Sequence, residues 1–204
     1  MEVLGPIFYV AILIFSVVIH EVAHGFAALR FGDETALRMG RLTLNPVSHL
    51  DPIGSVIVPL VLAFTNAGFM FGWAKPVPFN PENIRPYRLG TFIVAGAGIF
   101  VNLVIALLFG MILRFMPPEM LAPGLSAVFH SIVIINILLA VFNLVPIPPL
   151  DGSKMLFAIL PGNLSRYEPH IAQFSFIFLL IFIFYFWRYF SPIIEYIYRA
   201  IIGA

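Results

Sequence analysis

The segment His20-Glu21-Val22-Ala23-His24 carries the densest chemistry in the chain. On a helix, residues four apart share a face, close enough for two imidazoles to hold one cation. This HExxH spacing supplies two zinc ligands, with the intervening Glu placed as general base toward an activated water. The competing reading is a pair of histidines hydrogen-bonding between helices, with Glu21 as their partner. Three ionisable residues inside an apolar run are costly, and a carboxylate between two imidazoles is hard to bury without a cation, so the metal reading is preferred. Catalytic zinc wants three protein ligands and one open position. The third should be a distant His, Asp or Glu at the same depth. Asp33, Glu34, Glu82, Glu119 and Glu168 fall in polar loops, Glu195 lies beyond the last apolar run, and His130 and His170 begin runs and read as interfacial. Asp151 remains, in Asn143-Leu144-Val145-Pro146-Ile147-Pro148-Pro149-Leu150-Asp151-Gly152. Its prolines break the helix, and broken backbone at membrane depth is tolerated only where it lines a cavity. An unwound helix end can aim a carboxylate at a metal; the plainer alternative is a polar turn.

The elements that must position these residues follow from composition. Of 204 residues, 61% are hydrophobic and 10% charged, against about 25% charged in a soluble domain. The expected fold is an all-α integral membrane protein, one polytopic domain over residues 1–204, in the cell membrane. Four runs are long enough to cross a bilayer: about Gly5–Leu29, Leu89–Leu113, Ser126–Val145 and Ile171–Trp187. A shorter apolar stretch, Ile53–Phe71, is interrupted by Pro59 and Asn66-Ala67-Gly68 and suits a re-entrant segment or an additional short span. Ser191–Ala204 is expected along the interface, so that residues 5–165 form the core and 170–204 the last span and its interfacial tail. Pro76, Pro78, Pro81 and Pro86 forbid continuous helix over Gly72–Arg88, which is read as extended loop near the site. The first run lacks a Lys/Arg-rich lead and reads as a retained span. There is no cysteine, which excludes disulfides, thiolate metal sites and cysteine nucleophiles. A formal net charge of +1 speaks against a nucleic-acid partner, which needs a clustered basic face.

The paired segments resemble the site-2 proteases, intramembrane zinc metallopeptidases whose pattern joins HExxH on one span to Asn-x-x-Pro-x-Pro-x-x-Asp-Gly at the end of a later one. His20, Glu21 and His24 match the first part; Asn143, Pro146, Pro148, Asp151 and Gly152 match the second. The resemblance implies Zn2+ held by His20, His24 and Asp151, with Glu21 activating water and Asn143 stabilising the oxyanion. The family's Ala-Gly-Pro-x-x-Asn stretch reads Ala97-Gly98-Ile99-Phe100-Val101-Asn102 here: Ile99 replaces Pro, and Asn102 is kept as a supporting residue behind the site. Asn45–Pro52 and Gly72–Asn80 also look like the compact bacterial branch. Within them, His49 and Asp51 read as a surface loop turned by Pro46 and Pro52, the alternative being an additional metal or gating site.

If the two motifs meet, the C-terminal ends of the first and third long runs face one side, and Ile53–Phe71 makes no net crossing. That side carries Arg30, Arg38, Arg41, Lys75, Arg85, Arg88, Lys154 and Arg166, the other Arg114, Arg188 and Arg199. The positive-inside rule puts the active site toward the cytoplasm. The expected activity is hydrolysis of peptide bonds within or near the bilayer, in regulated intramembrane proteolysis. The expected substrate is a single-pass regulatory protein or a signal-peptide remnant. No separate PDZ-type or nucleotide-sensing domain is expected, so substrate filtering falls to the core, its loops or a partner. Two rival readings are a metal-binding transporter, which gives Glu21 no task, and an inactive scaffold, in which Glu21→Gln changes nothing.

Overall fold

The computed structural model describes residues 4–58, 61, 64, 74–162 and 167–203. Four helices in it are long and apolar enough to cross a membrane. They are α1 (Leu4–Arg30), α2 (Tyr87–Phe115), α3 (Pro123–Leu144) and, after the short amphipathic α4 (Asp151–Ile159), α5 (Ser175–Ile202). No strand occurs among the described residues. Phe100, Phe115 and Phe184 point outward at 69%, 70% and 67% exposure, faces that suit lipid and would associate in water.

α2 is the axis of the bundle. Its buried positions include Gly90, Val94, Gly98, Asn102, Ala106 and Gly110, a stripe of mostly small residues every four positions. Such a stripe lets helix backbones approach closely where no hydrophobic effect drives them together. Its first half meets α1, where Val94 packs with Ala28 and Ile84. Its second half meets α3 and α5, where Ala106 packs with Val133 and Ile137. A polar clasp joins α1 to α3: the Asn136 amide donates to Ser16 Oγ at 2.9 Å.

The C-terminal region departs from expectation. Its helix does not stop near Trp187 to leave Ser191–Ala204 as a separate interfacial piece; it runs on from Ser175 to Ile202. Pro192 lies inside it and a π-helical stretch, Phe182–Phe186, precedes it. Phe190, Ile194, Ile197 and Ile201 hold the continuation against α2 and α3, while the Glu195–Arg199 pair faces outward. The tail's charges belong to the outer face of a packed helix.

Most of Ile53–Phe71 lies outside the described residues, so the expected re-entrant course is not visible. Its beginning is a π-helical stretch, Pro52–Ile57, capped by Asp51, whose Oδ1 accepts from the Ile53 and Gly54 amides at 3.0 and 2.6 Å. His49 is buried, and its Nε2–H donates to the Thr43 carbonyl at 2.9 Å. Both residues are engaged in loop architecture.

The loop after α1 is knotted to the Pro-rich segment through Asp33, which is 1% exposed. Its Oδ1 accepts from the Thr35 hydroxyl at 2.5 Å and the Asn83 amide at 2.9 Å, its Oδ2 from the Asn80 backbone amide at 2.7 Å. Burial alone would raise the Asp33 carboxyl; the donors overcome it and hold it below the usual range. A depressed folded pKa contributes stability above the unfolded value, lost as pH falls through the folded one. Asp33→Ala leaves these donors unmet and is expected to destabilise by about 2–3 kcal/mol. Thermal unfolding in detergent checks this: the gap between wild type and variant should be full at pH 7 and shrink as pH falls below the ordinary carboxylate range. A constant gap would assign the loss to packing.

Candidate metal centre

α1 presents His20 and His24 on one face, one turn apart. Asp151 reaches them because the chain breaks after α3 at Val145 and folds back into α4. Gly152 makes the fold-back possible: a Cβ there would lie 2.2 Å from the Leu144 carbonyl oxygen and 2.6 Å from that of Val145. The Pro146–Pro149 break and this glycine therefore act together, the first ending α3 and the second letting α4 press against its end.

The three side chains converge. His20 Nε2, His24 Nε2 and Asp151 Oδ2 form a triangle with every edge 3.0 Å. All three residues are buried, at 5%, 6% and 6% exposure. Among the described residues this is the group whose ligand atoms lie close enough to share a metal. The donor count tests the fit. His24 Nδ1–H donates to the Val94 carbonyl at 2.6 Å, so a neutral His24 offers only a lone pair at Nε2. Asp151 Oδ2 also offers lone pairs. A single proton on His20 Nε2 cannot satisfy every edge, whereas a cation in the middle answers all three atoms. Tetrahedral zinc with ligands at about 2.0–2.2 Å separates them by roughly 3.4 Å, so a small adjustment of this triangle admits the ion. The residues fit zinc.

The surroundings fix the orientation of the three side chains, as such partners usually do at metal sites. Val94 sets the His24 tautomer. Lys154, one turn along α4, donates to Asp151 Oδ1 at 3.1 Å and leaves Oδ2 for the triangle. The His20 ring lies against α2 at Gly98, where a Cβ would come within 2.5 Å of Cε1. His20 Nδ1 is buried with no partner among the described residues.

Glu21 lies beside the triangle in sequence and is turned toward the Pro-rich segment. Its Oε2 accepts from the Val77 backbone amide at 2.8 Å. That segment, which has no helix or strand over residues 74–80, forms a strap across α1, where Val77 meets Glu21. The Lys75 amide donates to the His49 carbonyl at 2.8 Å, Arg41 Nη2 donates to the Lys75 carbonyl at 3.0 Å, and the Asn80 amide reaches Asp33. Pro76 and Pro78 flank Val77 and have no N–H, so the donor given to Glu21 is isolated on that stretch.

Asn143, at the end of α3, donates one amide hydrogen to the Leu139 carbonyl at 3.0 Å. Asn102 is fully buried on α2, one turn beyond Gly98, and its amide meets no partner among the described residues. His130 is far from the triangle in the fold and meets the Tyr198 hydroxyl at 2.5 Å. Sequence reasoning missed Lys154 and Val77. The Asp151–Lys154 spacing of three on a helix was a visible signal for the first; a backbone amide leaves none.

Comparison with known proteins identifies the family. The model of Peptidase family M50 matches residues 118–184, which contain Asn143 and Asp151. The chain is 38% identical over 183 residues to "Putative zinc metalloprotease YwhC" of Bacillus subtilis (strain 168), covering 86% of this chain and 80% of that one. It is 32% identical over 193 residues to "Putative zinc metalloprotease Rip2" of Mycolicibacterium smegmatis, covering 88% of this chain and 70% of the relative. The Rip2 of Mycobacterium tuberculosis (strain H37Rv) is 28% identical over 191 residues, with the same coverage. No solved structure gives a significant match. With a 38% identical relative matched along 80% of its length, and with two histidines on a membrane-capable helix meeting the aspartate that starts α4, the chain belongs to peptidase family M50, the site-2 type of zinc metalloprotease.

Proposed function

We propose that this metalloprotease cuts transmembrane or membrane-proximal segments of membrane-protein substrates, with its active site toward the cytoplasm. The observation that supports this best is the convergence of His20, His24 and Asp151 at one end of a four-span bundle. In this reading the three side chains hold the zinc, which when bound supplies Lewis acidity and lets water be activated near neutral pH. Glu21 takes the proton from the attacking water and passes it to the leaving amine. Asn143 has a second amide hydrogen beyond the one given to Leu139, and in this reading it stabilises the developing oxyanion. Asn102 supports the packing behind His20. The substrate enters as an extended strand, because a peptide bond inside an intact helix is shielded; the strap over residues 74–80 gives it an edge to lie along. A single-pass regulatory protein or a signal-peptide remnant presents such a segment.

Two measurements test this. Purified protein in detergent is expected to cut a single-span substrate within or beside its apolar segment, as located by mass spectrometry, and to spare a soluble polypeptide lacking that segment. Equal cutting of both would remove the intramembrane reading. The absence of cysteine permits a clean orientation test. A thiol at Arg38→Cys should react with an impermeant maleimide only after the cells are permeabilised, and one at Glu119→Cys in intact cells. The reverse pattern would place the site on the outer face.

A further inference from the structure

Beside the metal centre a groove of about 200 Å³ runs between the end of the strap, the start of α2 and α4. Phe79, Tyr87 and Phe157 give it aromatic walls, and Arg88, Lys154 and Glu168 its charges. Lys154 links it to the site: its ammonium contacts Asp151 Oδ1 at 3.1 Å and lies 5.7 Å from the Phe79 ring centre. We propose that this groove is the subsite for one side chain of the substrate, and that it selects an acidic one.

Position follows from the strap. Val77 touches Glu21 and Phe79 lines the groove. Two residues of chain reach at most about 7 Å. A substrate strand lying along the strap with its scissile bond at Glu21 therefore presents to the groove the side chain two residues from the cut. The size suits one large side chain. The charge follows from pairing. Lys154 already answers Asp151 through Oδ1. Glu168 is half-buried in the same wall with Lys154 as its favourable charge; its carboxyl is pushed up by burial, an effect Lys154 opposes. Arg88 is exposed at the groove and forms no ion pair among the described residues. A substrate carboxylate would complete it, with its methylene stem against Phe79 and Phe157. An apolar side chain would leave the guanidinium unanswered, and a lysine would be repelled.

This inference rests on the proteolysis reading, and one experiment separates the two. A single-span substrate is made with Glu, Gln or Lys two residues to either side of the cut bond. Each is incubated in detergent with wild type, Arg88→Gln and Arg88→Glu, and initial rates are read with the cut site mapped. Wild type is expected to cut the Glu substrate about tenfold faster than the Lys substrate at one of the two positions, the size of one exposed attraction replaced by a repulsion. Arg88→Gln should flatten the ranking and Arg88→Glu invert it, each rate read relative to the same protein's rate on the Gln substrate. An identical ranking in all three would overturn the subsite while leaving proteolysis standing. A loss that is equal across the series, and appears only when phosphatidylglycerol is added, would assign Arg88 to a lipid headgroup and overturn it as well. Failure to cut every substrate with every protein would overturn the proteolysis reading itself.

Discussion

Glu21→Gln is expected to lower peptide hydrolysis by about a hundredfold to ten-thousandfold, the range of a positioned general base, without changing zinc content. The substitution is nearly isosteric. It keeps an oxygen that can still accept from the Val77 amide, the contact seen at 2.8 Å for Oε2, so the strap should stay in place. It removes the basic lone pair and the ability to carry a proton to the leaving amine. None of the three side chains in the 3.0 Å triangle is altered, so metal analysis of the purified variant should match wild type. The check is a cleavage assay on a single-span substrate beside zinc stoichiometry, with a chelator as third arm. Cleavage lost together with zinc would give Glu21 a structural task. Cleavage retained in full would remove it as the base and leave water activation to another group.

The parts of this site that were legible in the sequence are those encoded by helical spacing or by a break in it. His20 and His24 are four apart, and geometry alone puts them on one face. The prolines after Val145 announce that α3 ends, and Asp151 is the carboxylate that such an end can aim. The long apolar runs announce the spans because lipid demands internally satisfied backbone. What was not legible depends on contacts between segments distant in sequence. Nothing near Val77 says that its amide meets Glu21, fifty-six residues away. The Asp33 knot joins loops through backbone donors at Asn80, which composition does not report. The end of α5 was misjudged for a different reason: Pro192, Glu195 and Arg199 lower its average hydropathy. Its half-buried stripe of Phe190, Ile194, Ile197 and Ile201 keeps the helical period nonetheless.

Gly98→Ala is expected to disable the metal centre although Gly98 contributes no ligand. A methyl group at that position would sit 2.5 Å from His20 Cε1 and 2.6 Å from both ring nitrogens, well inside contact distance. Either the helices part or the imidazole moves. Parting α1 from α2 would disturb the whole stripe from Gly90 to Gly110, so the cheaper response is for the ring to swing away, which takes Nε2 out of the triangle. Zinc affinity should then fall by at least about a hundredfold, since even partners of ligands cost roughly ten- to hundredfold. Cleavage should fall with it. Stability of the zinc-free protein should move the other way or not at all, because Ala is favoured over Gly within a helix by about 1 kcal/mol. Gly96→Ala is the control. Its methyl would lie 3.5 Å from the Met155 methyl carbon, an ordinary contact with a flexible side chain, and zinc binding and cleavage should stay near wild type. Zinc competition with a chromophoric chelator, run beside thermal unfolding of the metal-free proteins, separates the effects. A Gly98→Ala protein that binds zinc normally would show that His20 has room this packing does not show. One that loses zinc while keeping its unfolding temperature would show that α2 is cut small at Gly98 to seat the His20 ring.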